Sequence, residues 1–299
     1  MVKERKLHKM RMVRQASQYK RYTRSGAGNV LYFAFLLLMG AFSVLPLVYC
    51  VLSAFKPLDE LLVFPPTFFV NRPTTENFRV LPSLLGSLGV PLSRYFMNSV
   101  FVAVASTALH ILAASLAAFV FSKSRIRGRT VMFLIVQFAL LYNVYTLAIP
   151  QYYIFSKLQI IDTYLVYILP AIPSSMGCFL MKQYMDSSIP DVLLEAAYID
   201  GAGEMTMFWK LVMPLVKPAW MTLMLFSFRD MWSIIPSGTI FSESLKTLPQ
   251  VMSTIAAGGI ARSGSTMAAT VLLMIPPIIV FIISQRNVME TMSSAGIKE

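Results

Sequence analysis

The run from Leu31 to Ala54 contains no charged residue, and this restricts the chain more than any motif does. About 20 apolar residues in a helix cross the hydrocarbon of a bilayer, and no water there can satisfy a loose amide or carbonyl, so such a run must be helical. A signal peptide is the competing reading. Its apolar core is roughly 7 to 15 residues and ends in a small-residue cleavage pattern, whereas this run is longer and lacks the pattern. It is expected to stay as a first span. Further apolar runs lie near 98–121, 131–149, 164–181, 218–236 and 266–284. The expected fold is an all-α integral membrane protein with about six transmembrane helices and both ends on one side. The 56% apolar and 13% charged content agrees, since soluble domains carry about 45–50% and about 25%.

The net charge is +12, and its placement decides what it means. Residues 1–24 hold Lys3, Arg5, Lys6, Lys9, Arg11, Arg14, Lys20, Arg21 and Arg24 against the single acid Glu4. With that end in the cytoplasm, eighteen Lys and Arg fall on inside segments and seven outside, while Arg229 lies within an apolar run. Basic residues gather in cytoplasmic loops, so the alternation supports the count of spans. An anionic lipid surface accounts for the basic tail without nucleic acid as a partner. The division expected is a basic cytoplasmic tail over 1–29 and one transmembrane domain over 30–299. The segment 55–97, with Pro57, Pro65, Pro66, Pro73, Pro82 and Pro91, is expected to form short irregular or interfacial pieces outside. Cys50 and Cys178 are the two cysteines; both sit in apolar segments without metal spacing and are expected to pack rather than bridge.

One inside loop breaks the charge pattern. Between Lys182 and Lys217 the acids Asp186, Asp191, Glu195, Asp200 and Glu204 outnumber the three lysines. An acidic loop binds an anionic leaflet poorly, so a protein partner explains it better. Pro190 suits a helical first turn with Asp191 at its positive dipole end, and Val192, Leu193, Ala196 and Ala197 share an apolar face. Asp200-Gly201 then stops the helix. A second stretch from Glu204 puts Phe208, Leu211 and Val212 on one face before Pro214 and Pro218. The expectation is a knob of two short helices meeting at a glycine elbow, because glycine reaches the left-handed region freely. Glu195 and Asp200 are suited to pairing with basic groups, and the small side chains keep a flat seat.

The run Glu195-Ala196-Ala197, then Asp200-Gly201-Ala202, Phe208, Leu211, Pro214 and Pro218, resembles the EAA motif of binding-protein-dependent ABC importer permeases. Segments such as "FMNSVFVAVASTALHILAASLAAFVFSKSRIRGR", "IDTYLVYILP" and "METMSSAGIKE" resemble the second and third helices, the start of the fourth and the C-terminal tail of its maltose-type carbohydrate branch. From about residue 30 the similarity covers nearly the whole chain. It implies that the loop 186–218 carries a coupling helix that seats on an ATP-binding subunit. It also implies a sister permease, two ATP-binding subunits and an extracytoplasmic solute-binding protein as partners in a bacterial cell membrane. ATP and Mg are then held by the partner, and this chain binds no cofactor. The cargo implied is a sugar or oligosaccharide. Relatives carry Trp-Asn-Asp in the fifth span where this chain reads Phe228-Arg229-Asp230; only the Asp matches.

Charges within a span cost about 2.5 to 3.5 kcal/mol each at a helix centre on insertion scales, and such residues face a cavity or a partner. Arg229, Asp230 and Trp232 are therefore candidates for a translocation path, with a structural ion pair as the equal alternative for the two charges. Asn98 and Asn143 are further candidates, though interhelical hydrogen bonding is the commoner use of such residues. His110 reads as a packing histidine, without a second ligand at metal spacing. There is no G-x-x-x-x-G-K-[ST] loop, so energy from ATP must come from elsewhere. An ion-coupled secondary transporter is the alternative function. It calls for carboxylates or paired broken helices at mid-membrane, where Asp230 stands alone. An intramembrane enzyme lacks its Ser/His or metal set.

Overall fold

The computed structural model describes residues 26–86, 89–124, 126–142, 144–236 and 238–296, and among them every regular element is helical. The chain forms two compact units, Met1–Cys50 and Val51–Glu299. Helix α1 (Gly26–Ala54) grows from the charge-free run, and its side chains from Asn29 to Val48 are exposed all round, as a helix solvated by lipid requires. The basic tail before it lies outside the described residues.

In the second unit, α2 (Leu58–Leu61) and α3 (Glu76–Gly86) fill the proline-rich segment, as the short pieces expected there. Two buried charges brace it. Lys56 donates to the Thr67 carbonyl, while the Glu60 carboxylate accepts from the amides of Asn71 (2.8 Å) and Arg72 (3.2 Å). The Asn77 side chain donates to the carbonyls of Ala54 and Lys56, which terminate the preceding helix.

The long helix α4 (Leu92–Lys123) is central. After it come α5 (Arg129–Ala139), a 3₁₀ turn Val144–Leu147, α6 (Ala148–Lys157), α7 (Leu165–Ile168) and α8 (Ser175–Ser188). Then follow α9 (Asp191–Ile199), α10 (Glu204–Met207), a π turn Phe208–Val212, α11 (Met213–Leu215) and α12 (Lys217–Trp232). The chain closes with α13 (Leu248–Ala256) and α14 (Ser263–Gly296). Helix α4 packs on α8 and α12, and α12 on α14.

Among the described residues four helical stretches are long and apolar enough to cross a membrane: Gly28–Ala54, Leu92–Lys123, Leu165–Ser188 and Ser263–Met289. Glu204–Leu215 and Lys217–Trp232, bent by 80° at a short break, make a fifth when the bent pair is counted as one. The bend sits where Pro218 has no N–H for the Pro214 carbonyl, and proline disfavours helix in the residue before it. The run 131–149, expected as one span, is not one helix. α5 ends at Ala139, and Pro150, which cannot donate to the Thr146 carbonyl, stands in the first turn of a separate helix.

Ala114, Ala118 and Phe119 of α4 form the main core with Met181 and Met185 of α8, Phe208 and Val212 of the π turn, and Ala219 and Leu223 of α12. Helices in lipid gain little hydrophobic energy from association, so small residues that let backbones approach matter most. Gly177 shows this: a Cβ there would lie 2.6 Å from His110 Nε2 and 3.2 Å from the Ala114 Cβ. Gly177→Ala should therefore destabilise the α4–α8 pair by about 1–3 kcal/mol. A lowered unfolding midpoint in detergent, with Gly40→Ala as the control where nothing lies within 4 Å, checks this.

Candidate functional site

The acidic loop folds as the expected knob. Pro190 is extended and leads into α9, with Asp191 in its first turn. Gly201 sits at φ +82°. The Ala202 amide donates to the Ala197 carbonyl and the Gly201 amide to Tyr198, both at 3.0 Å. This paired termination with a left-handed glycine is the Schellman motif, so Ala197, Gly201 and Ala202 are used first as a helix stop. Nothing stands within 4 Å of a Cβ at Gly201, which makes its constraint one of backbone conformation rather than space.

The two arms of the knob face differently. Along α9 no residue is buried; Val192, Tyr198 and Ile199 are 74%, 73% and 83% exposed, and Glu195, Ala196 and Asp200 are exposed with them. The second arm turns inward. Phe208 and Val212 are fully buried, and the Phe208 ring lies 5.5 Å from that of Phe119. Leu211 is half-buried and Pro214 exposed. Phe208 therefore roots the knob in the helices, while α9 presents the surface.

Part of the acid excess is spent internally, which charge counting does not reveal. Lys123 Nζ donates to Asp191 Oδ1 (2.8 Å) and to the Ile189 carbonyl (2.6 Å), and its side chain is only 7% exposed. Ser122 and Lys182 both donate to Asp186 at 2.5 Å. Arg129 caps the end of α4 through the carbonyls of Ser124 and Ser122. The Lys123 ammonium holds the Asp191 carboxyl below its ordinary value. Asp200 and Glu204 remain exposed on the knob.

The residues expected along a path separate into three groups. Asn98 is buried, and its amide donates to the carbonyls of Ser244 (2.8 Å) and Lys246 (2.9 Å) while its oxygen accepts from Tyr164 Oη (2.8 Å). Both of its donors are engaged with protein, in bonds that pin the segment 244–246 to α4. Trp232 is likewise engaged with protein: its indole N–H donates to the Leu273 carbonyl at 2.9 Å and its ring stacks on Phe228. Arg229 and Asp230 do not lie at the centre of a span. They fall in the last turn of α12, pair with each other at 2.9 Å and keep side chains 65% and 57% exposed. Helix α12 stops at Trp232, which moves the charges from mid-helix to its end. Asn143 lies outside the described residues.

Asp230 opens onto a cavity of about 180 Å³ that also includes His110, Ser174, Phe226 and Ser227. The His110 Nδ1 lies 2.8 Å from the Ala171 carbonyl, and a carbonyl only accepts, so the proton is on Nδ1. At the other end of α4 the segment 239–248 is tied down. Asp162, at φ +61°, accepts from the hydroxyl and amide of Ser242 and from the Phe241 amide, and Ser99 Oγ accepts from the Leu248 amide at 2.7 Å. Sequence reasoning missed Asp162, Ser99 and Lys123, because each acts on a partner far along the chain.

The Ser242 hydroxyl, followed by the backbone amides, holds the Asp162 carboxyl below its ordinary value. A depressed folded pKa gives a contribution that is complete above the unfolded value of about 3.9 and is lost as pH falls through the folded one. Asp162→Ala should make the segment around Phe241 protease-sensitive at neutral pH, whereas the wild type should reach that state only below about pH 4. Equal cleavage of the two proteins at pH 7 would show that other bonds hold the loop.

The profile of the family described as "Binding-protein-dependent transport system inner membrane component" matches residues 79–293. The chain is 28% identical over 274 residues to the arabinooligosaccharides transport system permease protein AraQ of Halalkalibacterium halodurans, covering 89% of this chain and 94% of that one. It is 28% identical to the sn-glycerol-3-phosphate transport system permease protein UgpE of Yersinia pestis (84% and 91% covered), and 25% identical to the lactose transport system permease protein LacG of Rhizobium radiobacter (88% and 94%). Its fold is shared with a chain of a bacterial ABC transporter involved in the import of the acidic polysaccharide alginate, at a TM-score of 0.73 and 22% identity, covering 88% of this chain and 98% of that one.

Proposed function

This chain belongs to the family of binding-protein-dependent transport system inner membrane components, and from that premise we propose that it passes a sugar or oligosaccharide through the membrane and takes its energy through the knob 186–218. It is a multi-pass permease subunit of an ATP-binding-cassette importer, not an enzyme, and ATP hydrolysis belongs to a separate subunit. The cargo class is supported by the saccharides named in two of the relatives. The assembly we infer holds this chain, a sister permease, two ATP-binding subunits that carry ATP and Mg, and an extracytoplasmic solute-binding protein. The chain itself binds no cofactor. Both termini lie in the cytoplasm in this reading, with six crossings, the third built from the interrupted helices α5 and α6.

The observation that carries the coupling role is the exposed face of α9. A short helix outside the membrane-spanning segments bears Val192, Tyr198 and Ile199 in the open, beside exposed Glu195 and Asp200. Apolar patches rimmed by polar residues mark protein contacts. The Schellman termination fixes the angle at which the second arm leaves this face, so the two arms move together. Asp230, which lines the cavity of about 180 Å³, and Arg229 paired with it are the groups we infer to meet hydroxyl-rich cargo. An ion-coupled mechanism loses support here, because Asp230 is paired with Arg229 beside it.

Gly201→Glu is expected to leave insertion and assembly intact, because its Cβ meets open space. It strains the elbow by about 1–2 kcal/mol, the cost of a left-handed L-residue. ATP turnover continues and solute uptake collapses. The check is purification from native membrane with identification of the attached subunits, followed by paired ATPase and uptake assays in proteoliposomes. Recovery without an ATP-binding subunit, or normal uptake by the variant, would contradict the coupling role.

A further inference from the structure

The knob grips α4 at two points one turn apart. Lys123, in the last turn of α4, holds the start of α9 through Asp191 Oδ1 and the Ile189 carbonyl. Phe119 packs against Phe208 of the second arm, inside a buried cluster that also takes in Ala118, Ile189 and Val212. Both arms of the knob therefore act on the same few residues of a helix with which neither is continuous in sequence.

Helix α4 is also the stiffest way out of the knob. It has 32 residues with no glycine or proline among them, and at 1.5 Å per residue it is about 48 Å long. Sharp bends in helices occur at proline, glycine and π turns. The routes continuous with the knob contain them: the second arm passes through the π turn Phe208–Val212 and an 80° bend before α12, and α8 carries Gly177 near its start. At its far end α4 presents Asn98 and Ser99, which hold the carbonyls of Ser244 and Lys246 and the amide of Leu248.

We propose that α4 is the rod that carries movement of the knob to the segment 244–248 on the opposite side of the protein, and that Lys123 is the positioning residue joining α9 to it. This rests on the reading of the knob as the seat of an ATP-binding subunit. A displacement of α9 drags Lys123 through two charge-assisted bonds made by an ammonium that is itself buried, one to the exposed Asp191 carboxylate and one to the carbonyl of buried Ile189. The helix then shifts as a unit, and the outer segment follows its anchors. Opening at one side of the membrane is thereby tied to closure at the other without any signal passing through the bent fifth crossing.

The test uses the purified complex with its ATP-binding subunits in nanodiscs. A fluorophore is placed at Phe241→Cys, which is 63% exposed in the wild type, in a chain also carrying Cys50→Ser and Cys178→Ser. With Lys123 intact, adding ATP changes the emission at position 241. Lys123→Met should abolish that change while ATP still binds, and should lower solute carried per ATP hydrolysed by about tenfold, within the usual range of coupling energies. Lys123→Arg, which can donate to both acceptors, should restore both readouts. Asp191→Asn removes only the ion pair and leaves the bond to Ile189, so it is the milder variant that decides if Lys123→Met does not assemble; it lowers the same ratio. A full ATP-driven signal and an unchanged transport ratio in the variant that assembles overturn the rod. A wild-type complex that binds no ATP-binding subunit overturns the knob reading itself.

Discussion

Every backbone amide and carbonyl that meets lipid must be satisfied by its own helix, and the rest of the structure follows from where that condition is met and where it fails. It is met along α1, α4 and most of α14, which are long and apolar. The helix is interrupted at the 80° bend before α12 and in the stretch between α5 and α6. Unpaired backbone at membrane depth is tolerated only where protein or a water-filled space covers it. The unbroken α4 lies at the centre, packed on α8 and α12.

Because lipid removes the usual hydrophobic drive for helices to associate, close approach and buried polar bonds hold this bundle together. Ala114, Ala118 and Gly177 supply the approach. Asn98, Ser99, Tyr167 and the indole of Trp232 supply the bonds, each to a backbone carbonyl or amide of a distant segment. They mark where loops are pinned to the helix ends. Arg229 and Asp230 differ in kind, being exposed at the end of α12, with Asp230 lining the cavity.

The helices and the knob were legible in the sequence because both rest on local rules. A charge-free run of apolar residues has one solution in lipid, and an Asp-Gly pair after a short amphipathic stretch has one economical termination, realised as the left-handed Gly201. The extent of the third and fifth runs was not legible, since apolar composition does not show that Pro150 and Pro218 divide the backbone. Nor was the inward direction of Phe208 and Val212, whose common face has the same spacing whether it meets a partner or the protein's own core. Lys123 was invisible for a further reason. In sequence it is one of four cations in the turn 123–129; its significance appears only when α8 brings Asp191, 68 positions away, beside it.

That pairing changes the electrostatic meaning of the knob. Five acids against three lysines point to a basic partner if all are free to act, yet Asp186 and Asp191 are engaged with Lys182, Ser122 and Lys123. The charge left facing outward includes Asp200 and Glu204, and it flanks an apolar strip from Val192 to Ile199. Surface ion pairs contribute at most about 1 kcal/mol each, whereas fully burying an aliphatic or aromatic side chain contributes about 1.5 to 3 kcal/mol. Covering Val192, Tyr198 and Ile199 therefore outweighs pairing the acids in any complex on this face. In such a complex the acids would set orientation and rate of encounter, and the apolar strip would hold the partner in place, as the proposed coupling role requires.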